Sequence, residues 1–414
     1  MPGRSASGRT GTGYRALPAG VWALGFTSLL MDASSELVHS LLPVYMTTVL
    51  GASMVTIGII EGVAEATASI LKVFSGALSD FLGKRKFLAV AGYGLSALSK
   101  PLFPLASSIG LVFTARFIDR IGKGIRGAPR DALVADIVPA PLRGAAYGLR
   151  QALDSVGAFV GPLMAILLMA AFANDLRLVL WTAVVPAALA VAALAIWVKE
   201  PQGERREPRS LVQTAERHAA RSPIRFAELK SLHVRYWLIV ALGAVLTLAR
   251  FSEAFLVLRA QDLGLAIAWV PAVMVVMNVV YAAAAYPAGI AADRGARRAL
   301  LVWGLAALIA ADAVLGMATS AWHVFAGTAL WGLHMALTQG LLLTLVAETS
   351  PAELRGTAFG IFNLATGLFL LFASVLAGAL WTGFGAPVTF FAGAAFTVAA
   401  LTGLILFRPR PAGA

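Results

Sequence analysis

A ten-residue segment occurs twice in this chain. Pro139-Ala140-Pro141-Leu142-Arg143-Gly144-Ala145-Ala146-Tyr147-Gly148 returns as Pro351-Ala352-Glu353-Leu354-Arg355-Gly356-Thr357-Ala358-Phe359-Gly360, and each copy opens a long apolar run. A second pair keeps nearly the same separation. Gly76-x-x-x-Asp80, followed by Gly83-Lys84-Arg85-Lys86, is echoed by Gly289-x-x-x-Asp293-Arg294-Gly295-x-Arg297-Arg298. Such a chain is expected to fold as two related halves, an organisation found in membrane transporters.

The composition decides the solvent. Hydrophobic residues make up 59% of the chain and charged residues 13%, with a mean hydropathy of +0.81; soluble domains run at about half apolar and a quarter charged. Runs of about 20 apolar residues, enough to cross a hydrocarbon core of about 30 Å, recur along the chain. They predict an all-α multi-pass membrane protein with about twelve spans: 20–46, 55–82, 87–105, 109–125, 142–172, 176–198, 235–258, 268–292, 299–317, 322–347, 354–380 and 387–407. The only long polar interruption divides them into two pseudo-symmetric six-helix halves, 20–198 and 235–407, joined by a linker at 199–234 and flanked by tails at 1–19 and 408–414.

The net charge of +12 invites a nucleic-acid reading, but its distribution argues against one. Lys and Arg gather at alternate helix connections, such as Lys84, Arg85 and Lys86, the linker, and Arg294, Arg297 and Arg298, while the turns between carry almost none. This positive-inside pattern places both termini and the linker in the cytoplasm. The first apolar run contains Asp32 and Glu36 and no small-residue cleavage site follows, so it is expected to remain as a spanning helix rather than a signal peptide. Cysteine is absent, which excludes thiolate metal sites and disulfides.

Within the apolar runs lie Asp32, Glu36, Glu61, Glu65, Lys72, Arg116, Asp119, Arg120, Asp154, Arg250 and Glu253. A charge facing lipid at the bilayer centre costs about 2.5–3.5 kcal/mol even on the lenient insertion scale. A handful would exceed the roughly 5–15 kcal/mol of net stability a protein has, so these groups must face one another or a water-filled cavity. Asp32, Glu36 and His39 fall on one stripe of the first helix; Glu61 with Glu65, Arg116 with Arg120, and His334 with Thr338 share faces at i, i+4. Two readings remain open: a transport site where a buried carboxylate exchanges a proton for substrate, or salt bridges that hold the bundle together. Glu36 and Glu253 favour the first, because Ser35-Glu36 and Ser252-Glu253 occupy matching places in the halves.

The two Gly-x-x-x-Asp loops and the stretch Arg116-x-x-x-Arg120-x-Gly122-x-Gly124 resemble the signature loops of the major facilitator superfamily, over nearly the whole chain. The resemblance implies that superfamily's fold, with the first, fourth, seventh and tenth helices lining a central cavity. On those helices stand Asp32, Glu36 and His39; Arg116, Asp119 and Arg120; Arg250 and Glu253; and His334. It also implies a gating role for Gly76, Asp80, Gly83, Lys84 and Arg85, and for Gly289, Asp293 and Arg294; plain positive-inside anchoring would place the same basic residues there. Phe81 and Ala296 depart from the family pattern. Gly157-x-x-x-Gly161-Pro162 resembles the family's antiporter motif and favours export, with small residues for close helix contact and a proline that interrupts the helix. Members usually work as single chains, and no cofactor is expected.

For the cargo, carboxylate and imidazole on the Asp32, Glu36 and His39 stripe suit divalent metals such as nickel or cobalt, with His334 as a second imidazole from the opposite half. The runs Ser34 to Pro43, Ile60 to Ser69 and Gly122 to Leu133 resemble a bacterial and archaeal branch that includes nickel and cobalt exporters. The competing cargo is an organic cation or drug, with Trp331, Phe251, Tyr281 and Tyr286 as a stacking surface. No Ser-His-Asp arrangement, His-Glu-x-x-His or complete phosphate loop is present, so the chain is not expected to be an enzyme or an ATP-driven pump. A non-transporting receptor or scaffold is a third alternative. The expectation is a proton-coupled exporter of a small solute, in contact with membrane lipid and protons and not with nucleic acid.

Overall fold

The computed structural model describes residues 17–82, 84–139, 142–199, 232–351 and 354–406, and every described element is helical. The N-terminal half comprises α1 (Ala19–Thr48), α2 (Met54–Leu82), α3 (Arg85–Ser99), α4 (Ile109–Ile137), α5 (Arg143–Ala171) and α6, built of two pieces, Leu176–Thr182 and Val184–Trp197. The C-terminal half comprises α7, in two pieces, Val234–Ala249 and Ala254–Asp262, then α8 (Ala272–Ala291), α9 (Arg297–Gly316), α10 (Ala321–Thr349), α11 (Arg355–Phe384) and α12 (Ala386–Leu406). Eight segments are long and apolar enough to cross a membrane, and one of them, Ile267–Gly316, holds both α8 and α9. The chain is thus a multi-pass membrane protein. Most of the linker, most of both tails and Gly83 lie outside the described residues.

Three helices differ from expectation. α4 runs twelve residues past the expected 125, because Arg126, Arg130, Asp131 and Asp136 stay helical rather than forming a loop. At 1.5 Å per residue its 29 residues span about 44 Å, beyond a hydrocarbon core of about 30 Å. α3 stops at Ser99, before Lys100-Pro101, and only the short helix Leu102–Leu105 follows. α7 is interrupted at 250–253 where one continuous span was expected.

The halves meet along two seams, α2 against α11 and α5 against α8. In the first, glycines bring the backbones together: a Cβ on Gly58 would lie 2.1 Å from the Ser374 carbonyl oxygen, and one on Gly378 2.4 Å from that of Met54. The apolar core shows where the molecule is closed. One large cluster draws on both halves around the end of α1 and the start of α2, with Tyr45, Met46, Phe103, Phe255, Trp331 and Phe390 among its members. Toward the other end each half has its own cluster, one around Val21, Tyr93 and Leu194 and one around Tyr236, Leu305 and Phe362. The bundle is joined at one end and divided at the other.

Candidate functional site

The interruption of α7 is the element that sequence reasoning missed and that most defines the centre. Arg250 closes the first piece, its N–H bonded to the Leu246 and Thr247 carbonyls, and Glu253 precedes the second. The freed backbone is satisfied locally: Ser252 N–H donates to Ser374 Oγ on α11 at 3.2 Å, and Ala254 N–H to Ser252 Oγ at 3.3 Å. Irregular backbone at membrane depth is tolerated only inside protein or beside a water-filled cavity, and broken helices mark binding sites in transporters. A cavity of about 330 Å3 lies at the break, lined by Glu36, His39, Glu65, Arg120, Lys123, Arg250, Phe251, Glu253 and Trp331 among others. A second, of about 410 Å3, shares Glu36 and Lys123 with the first and is lined further by Asp32, Lys72, Arg126, Arg130, Asp154, Asn278 and Tyr281. Tyr286, expected in the stacking surface, is 78% exposed on the outside of the bundle.

A chain of charges leads from the cavity into the N-terminal half. His39 Nδ1 lies 3.6 Å from Glu36 Oε2, and its Nε2 3.7 Å from Glu61 Oε2. Arg116 Nη2 donates to Glu61 Oε2 at 2.6 Å, both side chains being almost fully buried. Arg120 Nη1 lies 3.2 Å from Glu65 Oε1 and its Nε 3.7 Å from Asp119 Oδ2. Lys100, which sequence reasoning left out because it stands at a helix end, donates at 2.9 Å to Asp119 Oδ1 and at 3.0 Å to Ser35 Oγ. Burial of so many charges is sustained only by such mutual pairing. Four polar atoms of this chain of charges, His39 Nε2, Glu61 Oε1, Arg116 Nε and Arg120 Nε, are buried without a hydrogen bond among the described residues.

The glycines of the helix-5 motif set the position of the α1 acids. A Cβ on Gly157 would lie 2.5 Å from the Leu29 carbonyl oxygen and 3.0 Å from Asp32 Cβ; one on Gly161 would lie 2.6 Å from the Ala33 carbonyl oxygen and 2.8 Å from Glu36 Cβ. Any larger residue would push away the turns that carry Asp32 and Glu36. Pro162, buried beside them, adds the absent backbone donor.

Two expectations need correction. His334 does not face the cavity opposite His39; it is buried, with Nδ1 2.8 Å from the Gly304 carbonyl oxygen of α9. Asp32, Glu36 and His39 do not converge: among the described residues no three of His, Cys, Asp or Glu come together as metal ligands do. His39 sits between two carboxylates, while Asp32 lines the second cavity. The basic loop residues bond within their own half. Arg85 pairs with Asp136 of α4, and Arg297, rather than the exposed Arg294 and Asp293, pairs with Glu348 of α10. Gly76 lies in α2 and Gly289 in α8, Lys84 is exposed just before α3, and the Asp80 side chain lies outside the described residues.

A family model described as Major Facilitator Superfamily matches residues 24–277 and 251–414. An uncharacterized MFS-type transporter of Methanocaldococcus jannaschii is 33% identical over 402 residues, 95% of each chain. A multidrug resistance protein MdtH of Edwardsiella ictaluri is 24% identical, over 84% of this chain and 83% of that one. Among solved structures, a D-xylose–proton symporter superposes with a TM-score of 0.74 at 18% identity, covering 96% of this chain and 99% of that one. The fold is shared, and relatives and structural neighbours alike are transporters.

Proposed function

The chain belongs to the major facilitator superfamily, and on that premise we propose that it is a proton-coupled exporter of a small charge-bearing solute. It works as a single chain in the cytoplasmic membrane, with both termini on the cytoplasmic side. Alternating access carries the solute between the two six-helix halves, and the divided end of the bundle is the cytoplasmic one, where the basic connections lie.

The observation that carries this reading is the relay Glu36–His39–Glu61–Arg116, which begins on the cavity wall and ends in a buried ion pair. A proton arriving at Glu36 or His39 changes the charge balance that Glu61 and Arg116 share. That local change biases how α1, α2 and α4 sit against the cavity. The solute meets groups from both halves. Lys123 on α4 and Arg250 and Glu253 at the α7 break line the same cavity, and none has an ion-pair partner among the described residues. A solute with charge of both signs fits this lining better than a bare metal ion, for which no three ligands converge. Export is favoured by the Gly157-x-x-x-Gly161-Pro162 turn that fixes Asp32 and Glu36.

The test is proton release from acidified everted vesicles carrying a pH-sensitive dye, on addition of nickel or cobalt, organic cations and zwitterions. Release with at least one charged organic solute, abolished in a folded Glu36→Gln variant, is expected. Unchanged coupled transport in that variant removes Glu36 from the mechanism. Release that follows the metals alone and vanishes in His39→Ala would replace this reading with metal–proton antiport.

A further inference from the structure

Asp312, about one turn from the C-terminal end of α9, takes no part in the relay described above. It is fully buried, and neither carboxyl oxygen has a hydrogen-bond partner among the described residues. Trp331 on the adjoining α10 is 1% exposed, and its Nε1–H is likewise without an acceptor. The internal repeat connects the two observations. The spacing that carries Pro139 onto Pro351 also carries Arg85 onto Arg297, Asp136 onto Glu348, and both ends of α4, Ile109 and Ile137, onto those of α10, Ala321 and Thr349. The same spacing carries Lys100 onto Asp312 and Asp119 onto Trp331. In the N-terminal half these two positions are joined at 2.9 Å; in the C-terminal half they hold a carboxyl and an indole donor, both unsatisfied.

The surroundings are those of an enclosed site beside the cavity. A Cβ on Gly393 of α12 would lie 2.8 Å from Asp312 Oδ2 and 3.2 Å from Cε1 of Phe251, so only glycine leaves room for the carboxyl. Phe251 and Trp331 line the cavity and pack against each other at a tilt of 56°, with ring centroids 5.6 Å apart. The carboxyl therefore lies directly behind this aromatic wall. The ionisable groups on the elements packed around it are Arg250, Glu253, Arg259 and Asp262 on α7 and His334 on α10, with Arg235, Tyr236, His323 and Glu348 toward the ends of those helices; Arg259 is held by the Leu315 and Ala318 carbonyls and by Asp262, and α12 has none among its described residues. Arg250 and Glu253 line the cavity and His334 bonds the Gly304 carbonyl; none pairs with Asp312. Burying a carboxylate with no donor and no cation in an apolar enclosure is costly.

We propose that Asp312 is a proton-binding site of the C-terminal half, which releases its proton to the cavity when the Phe251–Trp331 wall rearranges and Trp331 Nε1–H becomes its hydrogen-bond donor. The O–H bond of the carboxyl breaks, cavity water takes the proton, and the carboxylate left behind gains the indole donor that its place in the repeat provides. Rebinding reverses these steps. The role in coupling rests on the proton-coupled reading of the cavity; the existence of the site does not.

The experiment is infrared difference spectroscopy of the purified protein in lipid, titrated with pH, beside proton counting in vesicles. The carbonyl stretch of a buried protonated carboxyl is expected in the wild type, to be retained in Glu36→Gln and lost in Asp312→Asn. Trp331→Phe is expected to change the pH at which the band disappears. A wild type without the band, or an Asp312→Asn variant that keeps it whole, overturns the site; an unaltered pH in Trp331→Phe overturns the pairing. Asp312→Asn is further expected to transport with fewer protons per solute, and a wild-type ratio would overturn its part in coupling. Should wild-type vesicles move solute with no proton flux while the band behaves as expected, the site stands and the coupled reading falls.

Discussion

The two halves share a repeated sequence and, closely, the lengths of α4 with α10 and of α5 with α11, yet their cores are built from opposite materials. Around α3 and α4 the N-terminal half buries Lys100, Arg116, Asp119, Arg120 and Glu61, each satisfied by another charge. The matching region of the C-terminal half packs Phe251, Phe255, Trp331, Trp381 and Phe390 in edge-to-face and tilted contacts and buries the carboxyl of Asp312 beside them. Backbone geometry has been conserved between the halves while the chemistry has diverged. An ionic half and a more apolar half with a buried unpaired carboxyl respond differently to a proton or a solute. The first redistributes charge among fixed partners, whereas the second has a group free to find a new partner.

The largest expected effect breaks this comparison at its matched positions. Lys100→Met leaves Asp119 buried with only the longer contact to Arg120, and removal of one partner of a buried pair costs about 3–5 kcal/mol. Asp312→Asn at the equivalent place removes no existing bond, and its cost should lie below about 1 kcal/mol. Unfolding in mixed micelles compares the two variants directly. Equal destabilisation would show that Asp312 has a partner in the membrane and that the halves are less different than their cores suggest.

A smaller effect sharpens the comparison at the seams. Gly58→Leu puts a side chain where the Ser374 carbonyl already lies 2.1 Å from an ideal Cβ, and overpacking of that kind typically costs 1–3 kcal/mol. The same Ser374 holds the α7 break through its hydroxyl, so the strain reaches the cavity. Spin labels on cysteines introduced at the outer ends of α2 and α11, in a chain with none of its own, should report a population with this end opened. In the α5–α8 seam, Asn278→Leu forfeits one hydrogen bond to the Ala158 carbonyl, a change of about 1 kcal/mol, and the labels should move little. Similar behaviour of both variants would mean that the α2–α11 glycines are not the closing contact.

Much of this architecture was legible in the sequence because the membrane imposes a length and an apolarity on each span. What escaped was set by neighbours rather than by the chain itself. The charged end of α4 reads as a loop, but Arg126 and Arg130 border a cavity, so a helix carries them at no cost in lipid contact. The α7 break has no proline or glycine to announce it; Ser374, distant in sequence, takes up the freed N–H. His334 shares a face with Thr338 as expected, but the glycine at 304 opposite it accepts its proton and turns it from the cavity. Lys100 and Asp312 were visible as letters, and the repeat spacing, carried through the whole chain rather than its signature loops alone, would have paired them.

The smallest effect concerns the one place where the halves keep the same chemistry. Arg85 with Asp136 and Arg297 with Glu348 occupy equivalent positions, the acids three residues before the repeated prolines, and all four side chains are partly exposed. Exposed ion pairs contribute about 0.2–1 kcal/mol, and water near the helix ends screens them further. Double-mutant cycles with Arg85→Gln and Asp136→Asn, and with Arg297→Gln and Glu348→Asn, should give coupling energies in that range, alike in the two halves and reduced by salt. If transport activity falls well beyond what that energy allows in one half only, the pair there is a gate and not a tether. The divergence between the halves then extends from their cores to the ends that carry the basic connections.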